Sequence, residues 1–343
     1  MLVPKIAIIG PRRLRQGLGP FVARALKGAG AEISCFLCSK ESNVKAASDE
    51  LTEIADVVAR GYFNFGSMLE AEDLHALAIL SPKETHQYFL EGALRNRLHV
   101  FCEKPLVWGE SNPSLDASVL IEEFGRQNLL LMENSQWPET LKGFLELHPE
   151  ALDCRPREFL MRLSPRSEGL EMIVDSLSHP LSLLQAWTAY FDPSEQDCRV
   201  ESPTFKRYNL SGVMGISVSF QFVRGSAAVS ASVDLVQQVE QPRIASYSLN
   251  GFVAERLVDM SDYSMFFSDR GRRIALEDPL TLRAARFARE LQLRIESTTV
   301  LNDDETELPQ ATEARELKSR MVMLEELVEA FVDYNSHRKY AVD

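Results

Sequence analysis

The stretch HVFCEKPL, residues 99–106, closes an apolar run with an acid, a base and a proline. A strand buried on both faces tolerates charge poorly, so Glu103 and Lys104 need either an opening or partners close by. A lysine at the carboxyl end of a parallel strand can reach a ligand bound beyond the strand and stabilise an oxygen that gains negative charge in a reaction. Glu103 can orient that ammonium, and Pro105 fixes the turn that aims it. The plainer reading of the same residues is a surface turn with an incidental ion pair.

The elements that would carry this turn are legible in the hydrophobic pattern. KIAIIG, AEISCFLCS, ALAILS, LHVFCEKP and NLLLMEN read as short buried strands. PFVARALKGAG, NVKAASDELTEIADVVA, SMLEA, ETHQYFLEGALRN and LDASVLIEEFGRQ read as helices between them. The alternation predicts a doubly wound parallel sheet with helices on both faces over residues 1–133. From about Pro138 the texture changes. ETLKGFLELH and a segment near HPLSLLQAWTAY are helical, while REFLMRLS, GVMGISVSFQFV, SAAVSASVDLV and RIASYSLNGFVAERLVD alternate with period two. Residues 134–343 are therefore expected to form an α+β domain on a large, mostly antiparallel sheet. The acidic stretch STTVLNDDETELPQ reads as a loop, and TEARELKSRMVMLEELVEAFVDYNSHRK as one long amphipathic helix. The fold class is α/β, a Rossmann domain followed by an α+β domain.

Bulk properties narrow the function. The 343 residues carry 37 basic and 50 acidic side chains, a formal charge of −13, so nucleic acid is repelled at long range and is excluded as a partner. The apolar runs are far shorter than the ~20 residues of a membrane span, and the N-terminus enters a strand at once, so a cytoplasmic protein is expected. The five cysteines are scattered and odd in number, which argues against a disulfide framework. Cys35 and Cys38 form C-x-x-C within a strand, where positions three apart face opposite sides, and no metal site is expected.

A dinucleotide site in such a fold needs glycines after the first strand, so that main-chain N–H groups and a helix N-terminus approach a pyrophosphate. The turn here is GPRRLRQGLGPF. Gly10 closes the strand and Gly17, Leu18 and Gly19 lead into the helix, a stretched form of G-x-G-x-x-G. Arg12, Arg13 and Arg15 in the insertion can bind phosphate oxygens bidentately, or form a solvated basic loop. Twenty residues past Gly19, where an acid usually meets the ribose 2′-hydroxyl, stand Ser39 and Lys40. With no carboxylate there, NADP(H) is expected to be preferred, NAD(H) remaining possible. Lys104 would then reach the nicotinamide.

SPKETHQYFLEGALRNRLHVFCEKPL, residues 81–106, resembles over its whole length the segment that marks the glucose–fructose oxidoreductase/inositol dehydrogenase (Gfo/Idh/MocA) family. The resemblance implies a Rossmann domain followed by a domain on a large antiparallel sheet, and places Ser81, Pro82 and His86 by the cofactor with Glu103 and Lys104. It also implies an Asp and a His four apart on a helix of the second domain that faces the nicotinamide. In EGLEMIVDSLSHPL these are Asp175 and His179. On residues alone, such a pair is usually a helix-surface pair. With the family pattern, His179 looks like the general acid/base, Asp175 sets its tautomer, and Lys104 completes the constellation.

Two departures are visible. Leu177 occupies a position where the family often has glycine, and the family's Arg-aromatic region after the last Rossmann strand appears only as SQWP, residues 135–138. Arg162 and Arg166 are candidates for an acidic substrate group, or exposed strand-end arginines. The remaining histidines, 75, 99, 148 and 337, are assigned to packing or solvent. The expected activity is NAD(P)-dependent hydride transfer between the nicotinamide and a secondary alcohol or ketone of a sugar, cyclitol or similar polar molecule. The rivals are a non-catalytic dinucleotide sensor on the same scaffold and redox-assisted chemistry with recycled cofactor. The family resemblance also implies a homodimer or homotetramer through the C-terminal sheet.

Overall fold

A computed structural model of the chain describes residues 2–14, 17–109, 112–195, 197–210, 212–261, 263–297 and 310–339. Arg15 and most of the expected acidic loop, residues 298–309, lie outside the described residues. The chain divides into two compact units, residues 1–134 with 280–314, and residues 135–279 with 315–343. Residues 280–314, read from the sequence as part of the second domain, thus group with the first unit.

The first unit is built on six parallel strands, β1 (Lys5–Ile9), β2 (Glu32–Leu37), β3 (Arg60–Tyr62), β4 (Ala76–Ile79), β5 (His99–Cys102) and β6 (Leu131–Glu133). Their order is β3-β2-β1-β4-β5-β6, the doubly wound arrangement whose direction reverses between β1 and β4. Ile6, Ala7, Ile8, Ala76, Leu77, Ala78 and Ile79 have no exposed surface, as expected of strands covered on both faces. The helices are α1 (Gly19–Gly28), α2 (Val44–Ala55), α3 (Phe65–Ala71), α4 (His86–Arg95) and α5 (Pro113–Arg126). A late helix, α8 (Pro279–Ser297), adds Leu280, Ala284, Phe287 and Leu291 to this core, with Phe287 5.4 Å from Phe101 between ring centroids.

The second unit has eight strands, β7 (Glu158–Leu163), β8 (Cys198–Leu210), β9 (Val213–Arg224), β10 (Ala227–Val236), β11 (Ala245–Leu249), β12 (Phe252–Val258), β13 (Met265–Asp269) and β14 (Arg272–Leu276). They run in the order β14-β13-β12-β11-β7-β10-β9-β8, with every neighbouring pair antiparallel except β7 with β10. Asn250–Gly251 closes the β11–β12 hairpin and Arg270–Gly271 the β13–β14 hairpin. All four residues have positive φ, which two-residue hairpin turns of this hand require. Along β7, Phe159, Met161 and Leu163 are buried while Leu160 and Arg162 are exposed, the alternation of a sheet covered on one face.

Three further helices are α6 (Leu141–Leu147), α7 (Gly169–Phe191) and α9 (Gln310–Lys339). The helix expected near HPLSLLQAWTAY and the helix expected to carry Asp175 and His179 are one element, which runs unbroken through Pro180. A buried polar knot ties α7 to α9. Gln185 Nε2 donates to the Glu316 carbonyl at 2.7 Å, Arg320 Nε donates to Gln185 Oε1 at 2.9 Å, and the buried Arg224 donates to the Gln185 carbonyl at 3.1 Å. Each bond satisfies a group that would be costly if left unpaired inside.

Candidate active site

The carboxyl edge of the parallel sheet gathers the expected cofactor residues. Hydrogen bonds across it run from Cys38 N to the Tyr62 carbonyl, Gly10 N to Leu37, Leu80 N to Ile9, Glu103 N to Ile79 and Asn134 N to Cys102. Gly10 follows β1 with φ +82°, and a Cβ there would stand 2.8 Å from the Leu80 carbonyl and the Ser81 nitrogen. Only glycine allows β1 and β4 to end this close together. The N-terminal turn of α1 has no side-chain cap and no acidic residue, so its main-chain N–H groups are left for an anion. These features fit a dinucleotide pyrophosphate at the turn between β1 and α1.

Ser39 and Lys40 are exposed just past β2. A carboxylate from α2 meets the basic insertion. Glu50 accepts from Arg12 Nε at 3.0 Å, from Arg12 Nη2 at 2.9 Å and from the Arg13 main chain at 2.8 Å. Sequence spacing gave no sign of Glu50, because it approaches from the middle of the helix. The Arg13 guanidinium lies over the Phe21 ring, 4.9 Å from its centroid. Arg12 and Arg13 are thus tied to α2 and α1, although Arg13 remains exposed.

Glu103 and Lys104 follow β5 and are half-buried. Asn134 Nδ2 donates to Glu103 Oε1 at 2.5 Å. Burial pushes the Glu103 carboxyl up to about 7, against the pull of the Lys104 charge and the Asn134 hydrogen bond, while Glu133 raises it further. Lys104 thus has beside it a carboxyl that changes charge near neutrality. His86 is fully buried, with Nδ1 2.9 Å from the Pro105 carbonyl and Nε2 2.9 Å from the Ser81 carbonyl. It joins the segment after β4 to the turn after β5, and burial favours its neutral form. Ser81 Oγ meets Thr85 Oγ1 at 2.7 Å, and Thr85 donates to the Pro82 carbonyl.

In the second unit Asp175 and His179 lie one turn apart on α7, both half-buried among neighbours that are fully buried. The i, i+4 spacing on a formed helix puts them on one face. The His179 ring stands 6.2 Å from the Trp137 ring in an edge-on arrangement, and Trp137 stands 5.9 Å from Tyr247. Arg162, a candidate for an acidic ligand, instead lies on the exposed face 3.8 Å from Asp234. Arg166 is exposed beyond the end of β7.

The other expected structural residues have main-chain partners. His75 Nδ1 accepts from Lys5 N at 3.0 Å, His99 Nδ1 accepts from Leu130 N at 2.8 Å, and His148 Nε2 lies 2.7 Å from the Val253 carbonyl. His337 Nδ1 meets the Asp333 carbonyl on α9. Cys35 and Cys38 are buried, and burial pushes their thiols up to about 12 and about 11, so neither is poised as a thiolate. Among the described residues no helix is long and apolar enough to cross a membrane.

Strand order, glycine turn and open helix terminus together define a dinucleotide-binding Rossmann unit. Residues 5–134 match the Gfo/Idh/MocA model, described as an oxidoreductase family with an NAD-binding Rossmann fold. The resemblance read from residues 81–106 is therefore borne out. A comparison of the sequence with curated proteins finds no match. Among solved structures, UDP-N-acetylglucosamine 3-dehydrogenase GnnA from Acidithiobacillus ferrooxidans is similar, with TM-score 0.61 and 15% identity over 96% of this chain and 100% of that one. A variant of KijD10, a 3-ketoreductase from Actinomadura kijaniata in complex with TDP-benzene and NADP, gives TM-score 0.63 and 15% identity over 95% of this chain and 97% of that one. At this identity both likenesses establish the two-part fold and not the substrate.

Proposed function

We propose that the protein is an NADP(H)-preferring oxidoreductase that moves hydride between the nicotinamide and a secondary alcohol or ketone of a sugar, cyclitol or similar polar molecule. The observation that carries this reading is Lys104 at the carboxyl edge of a Rossmann sheet, one strand from the β1–β4 reversal, with a titratable carboxyl beside it. The dinucleotide supplies the hydride or accepts it. The protein's own groups do the rest. Lys104 polarises the substrate oxygen, and His179 takes the hydroxyl proton in oxidation or returns it in reduction. Asp175, one turn earlier on α7, holds the imidazole in the tautomer that can do so. Arg12, Arg13, Ser39 and Lys40 supply the positive and hydrogen-bonding surface for a 2′-phosphate, and Gly10, Gly17, Leu18, Gly19, Ser81, Pro82 and His86 shape the approach of the dinucleotide.

The same reading implies a cytoplasmic protein that pairs through the open face of the second sheet. Leu160 and Val253 stand there in register across Ser248, each more than a third exposed. Sedimentation would show a dimer or tetramer, and a monomer would remove that part.

Nicotinamide absorbance followed over a panel of polyols and keto-sugars tests the activity. Substrate-dependent NADPH formation or consumption is the expected result. Tight cofactor binding without turnover across the panel would favour a dinucleotide sensor, and isotope exchange at the substrate carbon without net cofactor change would favour redox-assisted chemistry.

A further inference from the structure

Three arginines of the second unit come together without a matching acid. Arg256 lies on β12, on the covered face of the sheet, opposite Ala245 on one side and Phe267 on the other, which are 2% and 0% exposed. Arg243 precedes β11, and its carbonyl accepts from Arg256 Nη2 at 3.4 Å. The Nε atoms of both Arg243 and Arg256 are buried with no hydrogen-bond partner. Arg166 is close enough for its charge to bear on Arg243, as Arg243 does on Arg256.

No carboxylate among the described residues forms a salt bridge with any of the three. The acid nearest in sequence, Glu168, accepts instead from Gln237 Nε2 at 2.7 Å. Burying the Arg243 and Arg256 Nε groups without a partner is unfavourable unless a ligand completes the set, while Arg166 stands exposed at its edge. The chain as a whole is acidic, at −13, so a local basic cluster is contrary to its overall field.

The position of the cluster says what the ligand belongs to. Arg256 lies over the Trp137 indole, 5.4 Å from the ring centroid, and the same indole carries His179 at 6.2 Å. Arg166 is three residues before α7, the helix that holds Asp175 and His179, and between them Ser167 Oγ is buried with no partner. Planar guanidinium groups suit an oxyanion that accepts several N–H bonds at once.

We infer that Arg166, Arg243 and Arg256 form an anion subsite, and that the substrate is a polyol or sugar carrying a carboxylate or phosphate, oxidised or reduced at a carbon near His179. This rests on the oxidoreductase reading for the reaction, but the binding of the anion does not. Direct titration of the wild-type protein, saturated with NADP⁺, by D-gluconate, D-glucose 6-phosphate and D-glucose tests it without any substitution. At least one of the two anions should bind at least tenfold tighter than glucose, with gluconate separating a carboxylate site from a phosphate site. Arg243→Gln and Arg256→Met should each weaken that anion by roughly ten- to a hundredfold and leave NADP⁺ affinity unchanged. Equal binding of glucose and both anions overturns the inference, as does a loss of NADP⁺ affinity in the variants, which would assign the arginines to the cofactor. Anion binding that depends on the arginines, with no turnover of any compound, would uphold the subsite and reject the oxidoreductase reading. Turnover of neutral sugars alone, with no anion bound, would do the reverse.

Discussion

Arg12 and Glu50 are joined side chain to side chain, Nε to Oε1 at 3.0 Å and Nη2 to the same oxygen at 2.9 Å, beside the carboxyl end of β2. Both side chains are about a quarter exposed, so the pair is weak enough to be exchanged for a ligand. A 2′-phosphate would compete with Glu50 for the same guanidinium, whereas a ribose hydroxyl could donate to the carboxylate. Glu50→Gln releases Arg12 and removes a like-charge neighbour of the phosphate. The NADPH dissociation constant should fall by about fivefold, and that for NADH should stay level or rise. Fluorescence titration of both cofactors checks this, and a gain in NADH affinity would assign Glu50 the opposite role.

Lys104→Met keeps the length of the side chain and removes its charge. On the proposed reading the pyrophosphate lies at the turn between β1 and α1, away from this side chain, so cofactor affinity should change little. Hydride transfer should slow by about 10²-fold or more, the magnitude of one lost electrostatic contact to a developing alkoxide. Single-turnover kinetics separates the two effects, and unchanged turnover would remove Lys104 from the chemistry.

Glu103 gives a pH signature. Its carboxyl titrates near 7 in the folded protein, above its ordinary value, so the folded form keeps a proton that the unfolded chain releases. Stability from this group is present at low pH and is lost as pH rises from about 4.5 to about 7, by up to ~3 kcal/mol. Glu103→Gln cannot ionise. Relative to wild type it should gain stability between pH 5 and pH 8, seen as a widening difference in Tm. If the two melting curves move together with pH, Glu103 is not the group that titrates.

Much of the first unit was readable in advance because its strands are continuous apolar runs and its turns are glycines. β3 escaped since it is three residues containing Arg60 and Gly61, with too little pattern to register. α8 was legible as a helix, since Leu280, Ala284, Phe287 and Leu291 recur at steps of four, three and four, but nothing in the pattern says that it serves a unit left about 145 residues earlier. β8 and β14 are the sheet's edge strands, partly exposed and carrying several charges, and β13 is only five residues long, so their alternation is blurred. Asn134 could have been found, since it directly follows the sixth parallel strand, at the edge where ligands gather. Trp137, Arg243 and Arg256 could not, because only the register of β11 with β12 and the fold of the segment before α6 bring them together.

The same unit carries a second, opposite pH response. His99 Nδ1 accepts from the Leu130 main chain at 2.8 Å, which requires that nitrogen to be unprotonated. Burial, with the nearby Arg294 and His75 charges, pushes the imidazole down to about 4. The unfolded chain takes up its proton first, so this group's contribution is complete above pH 6.5 and is lost as pH falls from about 6.5 towards 4, by up to ~3 kcal/mol. His75 and His86 are lowered for the same reason and add to the slope. His99→Asn removes one titrating group, so its urea midpoint should be lower than wild type at pH 7 and approach it at pH 5. A difference that stays constant between the two pH values would show that His99 does not titrate within this window, and that the acid sensitivity lies with His75 and His86.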